Sequence, residues 1–199
     1  MTPENPSNPD ERNPLMVVTG VSGSGKDYLI EAFRDQSKLS VEVVNFGQEL
    51  FERAQALRPS LSDRDRISQE IPQSELYRII EELACDIRSR GPAVLNTHVL
   101  YRQGESLVIN PKIEQQISAN VYAFIEADPE QIADWRACDT TRDRDPEDST
   151  TIGLHQDIAR AATAYLAEYV GARFVRINNT PETFSRNWRL LEENVAVRL

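Results

Sequence analysis

Eight residues constrain this chain more than any others: Gly20-Val21-Ser22-Gly23-Ser24-Gly25-Lys26-Asp27. Directly before them, Leu15-Met16-Val17-Val18-Thr19 is apolar and β-branched, which reads as a short buried strand. Directly after them, Tyr28, Leu29, Ile30 and Phe33 are spaced for the apolar face of a helix. G-x-x-x-x-G-K between a strand and a helix is the phosphate-loop pattern. Its glycines let the backbone curl until successive N–H groups point at phosphate oxygens, and the helix N-terminus adds partial positive charge. Lys26 can then reach the terminal phosphates of a polyphosphate chain. The 199 residues include only three lysines (Lys26, Lys38 and Lys112) and eight glycines, so chance would assemble this pattern with a probability on the order of half a percent. One position departs from it. Asp27 stands where a Ser or Thr hydroxyl normally meets Mg²⁺, and a carboxylate there repels a β-phosphate unless a cation lies between them.

The rest of the chain alternates strand and helix signals. Val41 to Asn45, Ala93 to Thr97, Val121 to Glu126 and Arg173 to Ile177 read as four further strands. Residues 49 to 90 are largely helical in character, and Leu76, Ile79, Ile80, Leu83 and Ile87 form the clearest helical stripe, stopped by Gly91-Pro92. Asp128 before Pro129 is a good N-cap with proline at the first helical position. That helix is expected to break near Asp139, because residues 139 to 149 are almost wholly charged, Thr or Pro and suit an exposed flap. A helix is expected to resume through Ile152, Ile158, Ala162, Tyr165 and Tyr169, and Thr180-Pro181 to start a last one. The class is therefore α/β: a five-stranded parallel sheet covered on both faces, with ligands beyond the carboxyl ends of its strands. Before Leu15, four prolines and polar residues in 14 positions predict a disordered tail.

Composition narrows the partners. One domain of this size buries enough surface to need no staple, so Cys85 and Cys138 require no disulfide. No apolar leader or long apolar run is present, which reads as a soluble, cytoplasmic protein. A net charge of −10 opposes sequence-independent binding to nucleic acid or an anionic membrane.

Six segments together resemble the archaeal type of adenylate kinase, a P-loop nucleoside monophosphate kinase: VVTGVSGSGKD at 17–27, VVNFG at 43–47, DRD at 63–65, LNTHVLYR at 95–102, FIEADP at 124–129 and DTTRDRD at 139–145. The resemblance spans about Leu15 to Asn178. It implies phosphoryl transfer from Mg-ATP to AMP on a three-layer P-loop fold, one kinase domain over 15–199. An acceptor-binding insertion would cover about 46–90 and a mobile lid about 139–149. It also implies a homo-oligomer. Carried over residue by residue, Gly20, Val21, Ser22, Gly23, Ser24, Gly25, Lys26 and Asp27 would hold the ATP phosphates, and Arg142 and Arg144 would close over the transferring group. Arg64, His98 and Arg102 would meet the acceptor phosphate, and Asp27 and Asn96 would approach the magnesium ion. Arg142 and Arg144 also read as a solvated loop alternating with Asp143 and Asp145, the other arginines as surface salt bridges, and His98 as a half-buried packing histidine.

Two pairs of positions depart from the family. Ser or Thr at 27 and Asp at 96 are exchanged for Asp27 and Asn96, which leaves the local formal charge at −1 and suggests that Asp27 has taken over the anionic role of the third strand. Trp135 and Cys138 stand where arginines are usual, and Arg136 is rotated about 100° from its neighbour on a helix. Trp135 reads as a partly buried structural residue or as a surface that stacks on a base. Two alternatives to AMP phosphorylation follow: a P-loop kinase for another small-molecule or nucleotide acceptor, and a regulatory nucleotide-binding protein that has lost phosphoryl transfer.

Overall fold

The structure, a computed structural model, describes residues 13–62, 67–103, 106–138 and 147–196. The expected tail before residue 13, Arg64 and the flap arginines Arg142 and Arg144 lie outside them. Five strands form one parallel sheet in the order β2-β3-β1-β6-β7: β2 (Glu42–Asn45), β3 (Ala93–Asn96), β1 (Leu15–Gly20), β6 (Val121–Glu126) and β7 (Arg173–Asn178). Strand alternation sends Leu15 and Val17 to one face and Met16 and Val18 to the other, and all six residues of β1 are buried. On the first face Leu83 and Ile87 of α4 (Gln73–Arg90), Ile113 and Ile117 of α5 (Pro111–Ile117) and Leu166 of α7 (Ser149–Val170) complete the core. The other face is covered by Leu29, Ile30 and Phe33 of α1 (Lys26–Gln36), with Trp188, Leu191 and Val195 of α8 (Trp188–Ala196). Burying each large apolar side chain stabilises by about 1.5–3 kcal/mol, so two covered faces hold the sheet without disulfides. Cys85 and Cys138 are indeed free and exposed.

A smaller apolar cluster of Ala54, Leu61, Ile67, Ile71 and Ile79 joins α2 (Phe46–Leu57), α3 (Ile67–Glu70) and α4. Another, of Ala127, Ile132 and Ile152, joins α6 (Pro129–Cys138) to α7. No helix among the described residues is long and apolar enough to cross a membrane.

Several expectations change. A two-stranded antiparallel hairpin, β4 (Tyr101–Gln103) with β5 (Ser106–Val108), follows β3 where no strands were expected. The last helix starts at Trp188, not at Thr180, because a knot of polar side chains holds 181–187 in turns. Thr183 Oγ1 donates to the Asn178 carbonyl at 3.2 Å, and Asn187 Nδ2 donates to Asn178 O and Asn179 Oδ1, both at 3.1 Å. Along α7, Ile158, Tyr165 and Tyr169 are exposed, while Gln156, Ala159, Thr163 and Leu166 face inward beside Ile152. Tyr28 also leaves the buried face of α1.

Candidate active site at the carboxyl end of the sheet

The sheet order reverses at β1, whose neighbours β3 and β6 belong to connections running in opposite directions. That switch point opens the crevice in which α/β proteins bind ligands. Gly20 ends β1 there, paired in register with Ile125 of β6, and the loop to α1 begins. Gly23 and Gly25 have φ values of +84° and +79°, which side chains with a Cβ disfavour, and a Cβ on Gly25 would sit 2.4 Å from Asn179 Nδ2. Gly25 is also the N-cap of α1 and supplies no side chain to the first N–H groups of the helix, leaving them for an anionic ligand.

Two distant residues tie the loop carbonyls down. Arg136, on α6, donates from Nε and Nη2 to Ser22 O at 3.0 and 2.7 Å. Asn179, buried after β7, donates to Ser24 O at 2.9 Å and is itself held by Asn187. Arg136 Nη1 also reaches Glu147 at 2.6 Å, so one guanidinium bonds α6 to both Glu147 and the phosphate loop. Neither Arg136 nor Asn179 was singled out from the sequence. Helical spacing turned Arg136 away, but spacing describes the Cα and not the reach of a long side chain. The polar run Asn178-Asn179-Thr180 was the available signal for Asn179. An aromatic stack flanks the loop: Phe184 lies on Tyr28 at 4.4 Å between ring centroids and beside Trp135 at 5.6 Å. Trp135 is thus used in packing.

Lys26 is 6% exposed. Its ammonium donates to Asp27 Oδ1 at 2.9 Å and to the Asn96 side-chain oxygen, and Asn96 Nδ2 donates to the same Asp27 Oδ1 at 3.0 Å. The three residues close a triangle across 70 positions of sequence, and both exchanged positions are in it. Asp27 and Asn96, the two positions expected near a magnesium ion, are thus hydrogen-bonded to one another. His98 Nδ1–H donates to Gly20 O at 3.2 Å. His98 is exposed, so the half-buried packing reading is set aside. Arg102 lies on β4, directly after this segment.

Beyond the carboxyl ends of β6 and β7, a cavity of about 350 Å³ opens between α6, α7 and the turns after β7. Asp128, Gln131, Arg160, Asn178 and Pro181 line it, and Asn179 joins it to the phosphate loop. Its floor is Glu126, paired with Arg160 at 3.2 Å and with Arg176. That carboxylate, by its hydrogen bond and its charge, raises the Arg176 guanidinium above its ordinary pKa.

A parallel sheet with its switch point at a lysine-bearing glycine loop defines a P-loop kinase. A family model described as an AAA domain matches residues 19–153. The adenylate kinase of Thermococcus kodakarensis is 30% identical over 169 residues, covering 83% of this chain and 86% of the relative; that of Thermococcus sibiricus is 30% identical over 174 residues with the same coverage. The chain belongs to this P-loop kinase family, in its archaeal adenylate kinase type. Shikimate kinase from Acinetobacter baumannii in complex with shikimate has the same fold, with a TM-score of 0.56 at 13% identity over 94% of this chain and 96% of that one. A gluconokinase from Sinorhizobium meliloti matches with a TM-score of 0.50 at 18% identity over 94% and 97%.

Proposed function

We propose that this protein is a nucleoside monophosphate kinase that transfers the γ-phosphoryl group of ATP, taken as its magnesium complex, to AMP. The carrying observation is buried Lys26 at the head of α1, inside a phosphate loop whose carbonyls are tied back by Arg136 and Asn179. AMP as acceptor is supported by the archaeal adenylate kinases to which the chain is 30% identical.

Lys26 and the N–H groups of the loop and helix bind the phosphate chain of ATP. The cavity bounded by Gln131, Asn178 and Pro181 would receive the base. Asp27 and Asn96 supply hard oxygen donors beside the loop, which suits Mg²⁺, an ion that takes few protein ligands and completes its shell with phosphate oxygens and water. Bound there, the ion supplies charge compensation for the β- and γ-phosphate oxygens. Arg142 and Arg144, from the lid at 139–149, neutralise the equatorial oxygens of the transferring group and exclude water. His98, Arg102 and Arg64 hold the acceptor phosphate, Arg64 within an acceptor-binding insertion spanning about 46–90. The acceptor oxygen attacks the γ-phosphorus in line, and ADP leaves with the β-phosphate.

A regulatory nucleotide-binding role without transfer is the second reading, favoured by the engagement of Lys26 with Asp27 and Asn96. Phosphorus NMR of the protein with ATP, Mg²⁺ and AMP, GMP, CMP or UMP in turn separates the readings. Growth of an ADP signal with AMP is the expected result; growth with another acceptor reassigns the substrate, and ATP bound but intact with all four favours the regulatory reading.

A further inference from the structure

Asp27 changes what the phosphate loop selects. A hydroxyl at this position is neutral and leaves the charge of the adjacent lysine available to phosphate. Here Asp27 Oδ1 accepts from Lys26 Nζ at 2.9 Å, and Asn96 bridges the pair, accepting from Lys26 and donating to Asp27 at 3.0 Å. At least two of the ammonium donors are committed, and the charge of Lys26 is partly offset by its own neighbour: the lysine is 6% exposed and the carboxylate 54%. Asn96 is part of the arrangement, because an aspartate there could not donate to Asp27 and would repel it.

We infer that Asp27 makes nucleotide binding conditional on a divalent cation: Lys26 and the cation exchange on the oxygens of Asp27 and Asn96, so the site selects the metal complex of a polyphosphate and rejects the metal-free form. A bare polyphosphate entering the loop gains less from a lysine already paired with Asp27 and meets a carboxylate on the following residue, which repels it. A cation on Asp27 reverses both effects. It takes over the compensation of the carboxylate and returns the charge of Lys26 to the phosphates. The two bindings are then thermodynamically coupled, so nucleotide raises metal affinity by the same factor by which metal raises nucleotide affinity. The inference rests on the reading of Lys26 as a phosphate ligand and is independent of which acceptor is phosphorylated.

Calorimetry tests it by binding alone. ATP is titrated into the wild-type protein and into Asp27→Ser, each with excess Mg²⁺ and with EDTA. The wild type is expected to bind ATP about 100-fold more weakly in EDTA, near the upper end of ordinary coupling factors. In Asp27→Ser the ratio is expected to fall below about tenfold, chiefly through tighter binding of metal-free ATP. Equal ratios in the two proteins would overturn the coupling and leave the phosphate loop standing. Failure of the wild type to bind ATP even with Mg²⁺ would overturn the reading of Lys26 and the coupling with it. A second measurement needs no variant. With only three lysines in the chain, a protein labelled at lysine Nζ gives few signals. The Lys26 signal is expected to move with Mg-ATP and to stay in place at the same concentration of ATP in EDTA, and an identical shift under both conditions overturns the exchange.

Discussion

At the scale of single residues, the phosphate loop depends on groups far from it in sequence. Arg136 gives two hydrogen bonds to Ser22 O across 114 positions and a third to Glu147, and it is largely buried in doing so. Hydrogen bonds from a charged donor contribute about 1.5–3 kcal/mol each, and 1.4 kcal/mol is a factor of ten in an equilibrium constant. Arg136→Met is therefore expected to weaken Mg-ATP binding by about tenfold or more. Arg136→Lys, which cannot form the planar pair of bonds, should recover only part of it. Titration calorimetry of both variants checks this, and unchanged affinity in Arg136→Met would show that the loop holds its shape without α6. The Gly20 to Asp27 pattern was legible because its chemistry is local. Arg136 was not, because nothing in its own neighbourhood distinguishes it from a surface residue, and the polar run around Asn179 does not say that the side chain reaches Ser24 across 155 positions.

At the scale of elements, the turns that end and begin helices carry the most constrained backbone. Gly25 and Gly171 have nearly the same left-handed φ, +79° and +71°. They differ in space: a Cβ on Gly171 meets nothing within 4 Å, while one on Gly25 would meet Asn179 Nδ2 at 2.4 Å and Phe184 Cε2 at 2.7 Å. Gly171→Ala should therefore cost only the conformational penalty of about 1–2 kcal/mol. Gly25→Ala should cost that and a further ~1–3 kcal/mol for overpacking. Urea denaturation of the two variants compares them directly, and equal losses would mean that Asn179 and Phe184 yield freely. The same distinction explains which elements could be read from sequence. β1, β3, β6 and the helix carrying Leu83 and Ile87 announce themselves by runs and stripes of buried apolar residues, whereas β2 and β7 bury only Val44 and Ile177 and are legible from their β-branched residues. The β4–β5 hairpin is two strands of three residues without an apolar run, and the turns before α8 are held by Thr183 and Asn187 reaching back to β7, interactions that no periodicity encodes. On α7 the apolar spacing pointed to Tyr165 and Tyr169, whereas packing chose the small and polar Ala159, Thr163 and Gln156. Gln156 earns its buried place by two bonds to the backbone of Ala127, at 3.1 and 2.9 Å.

For the whole molecule, one buried acid should shape the dependence of stability on pH. Glu114 of α5 is 2% exposed and accepts a hydrogen bond from the hydroxyl of Tyr122, which is fully buried in β6. Burial pushes its carboxyl up from 4.5 to about 7, against the smaller opposing effect of the tyrosine bond. The folded protein therefore holds this proton more tightly than the unfolded chain does. Its contribution to stability is fully present below about pH 4.5 and is lost as pH rises through about 7. A shift of this size corresponds to about 3 kcal/mol between the two limits. Asp86, lowered by its bond to Arg90, and Asp148, lowered by the Thr151 N–H at the start of α7, act in the other direction. Their contributions are present above the ordinary carboxylate pKa and are lost as pH falls below it, through their lowered folded-state values. Stability should thus peak on the acid side of neutrality, between the range where those carboxylates protonate and the pH at which Glu114 ionises. Glu114→Gln keeps the size and an acceptor for Tyr122 and removes the titration. Melting temperatures of the wild type should decline between pH 5 and 8, and those of Glu114→Gln should stay nearly level across the same interval. Parallel declines in both proteins would place the pH dependence elsewhere and show that Glu114 ionises at its ordinary pH despite its position between α5 and β6.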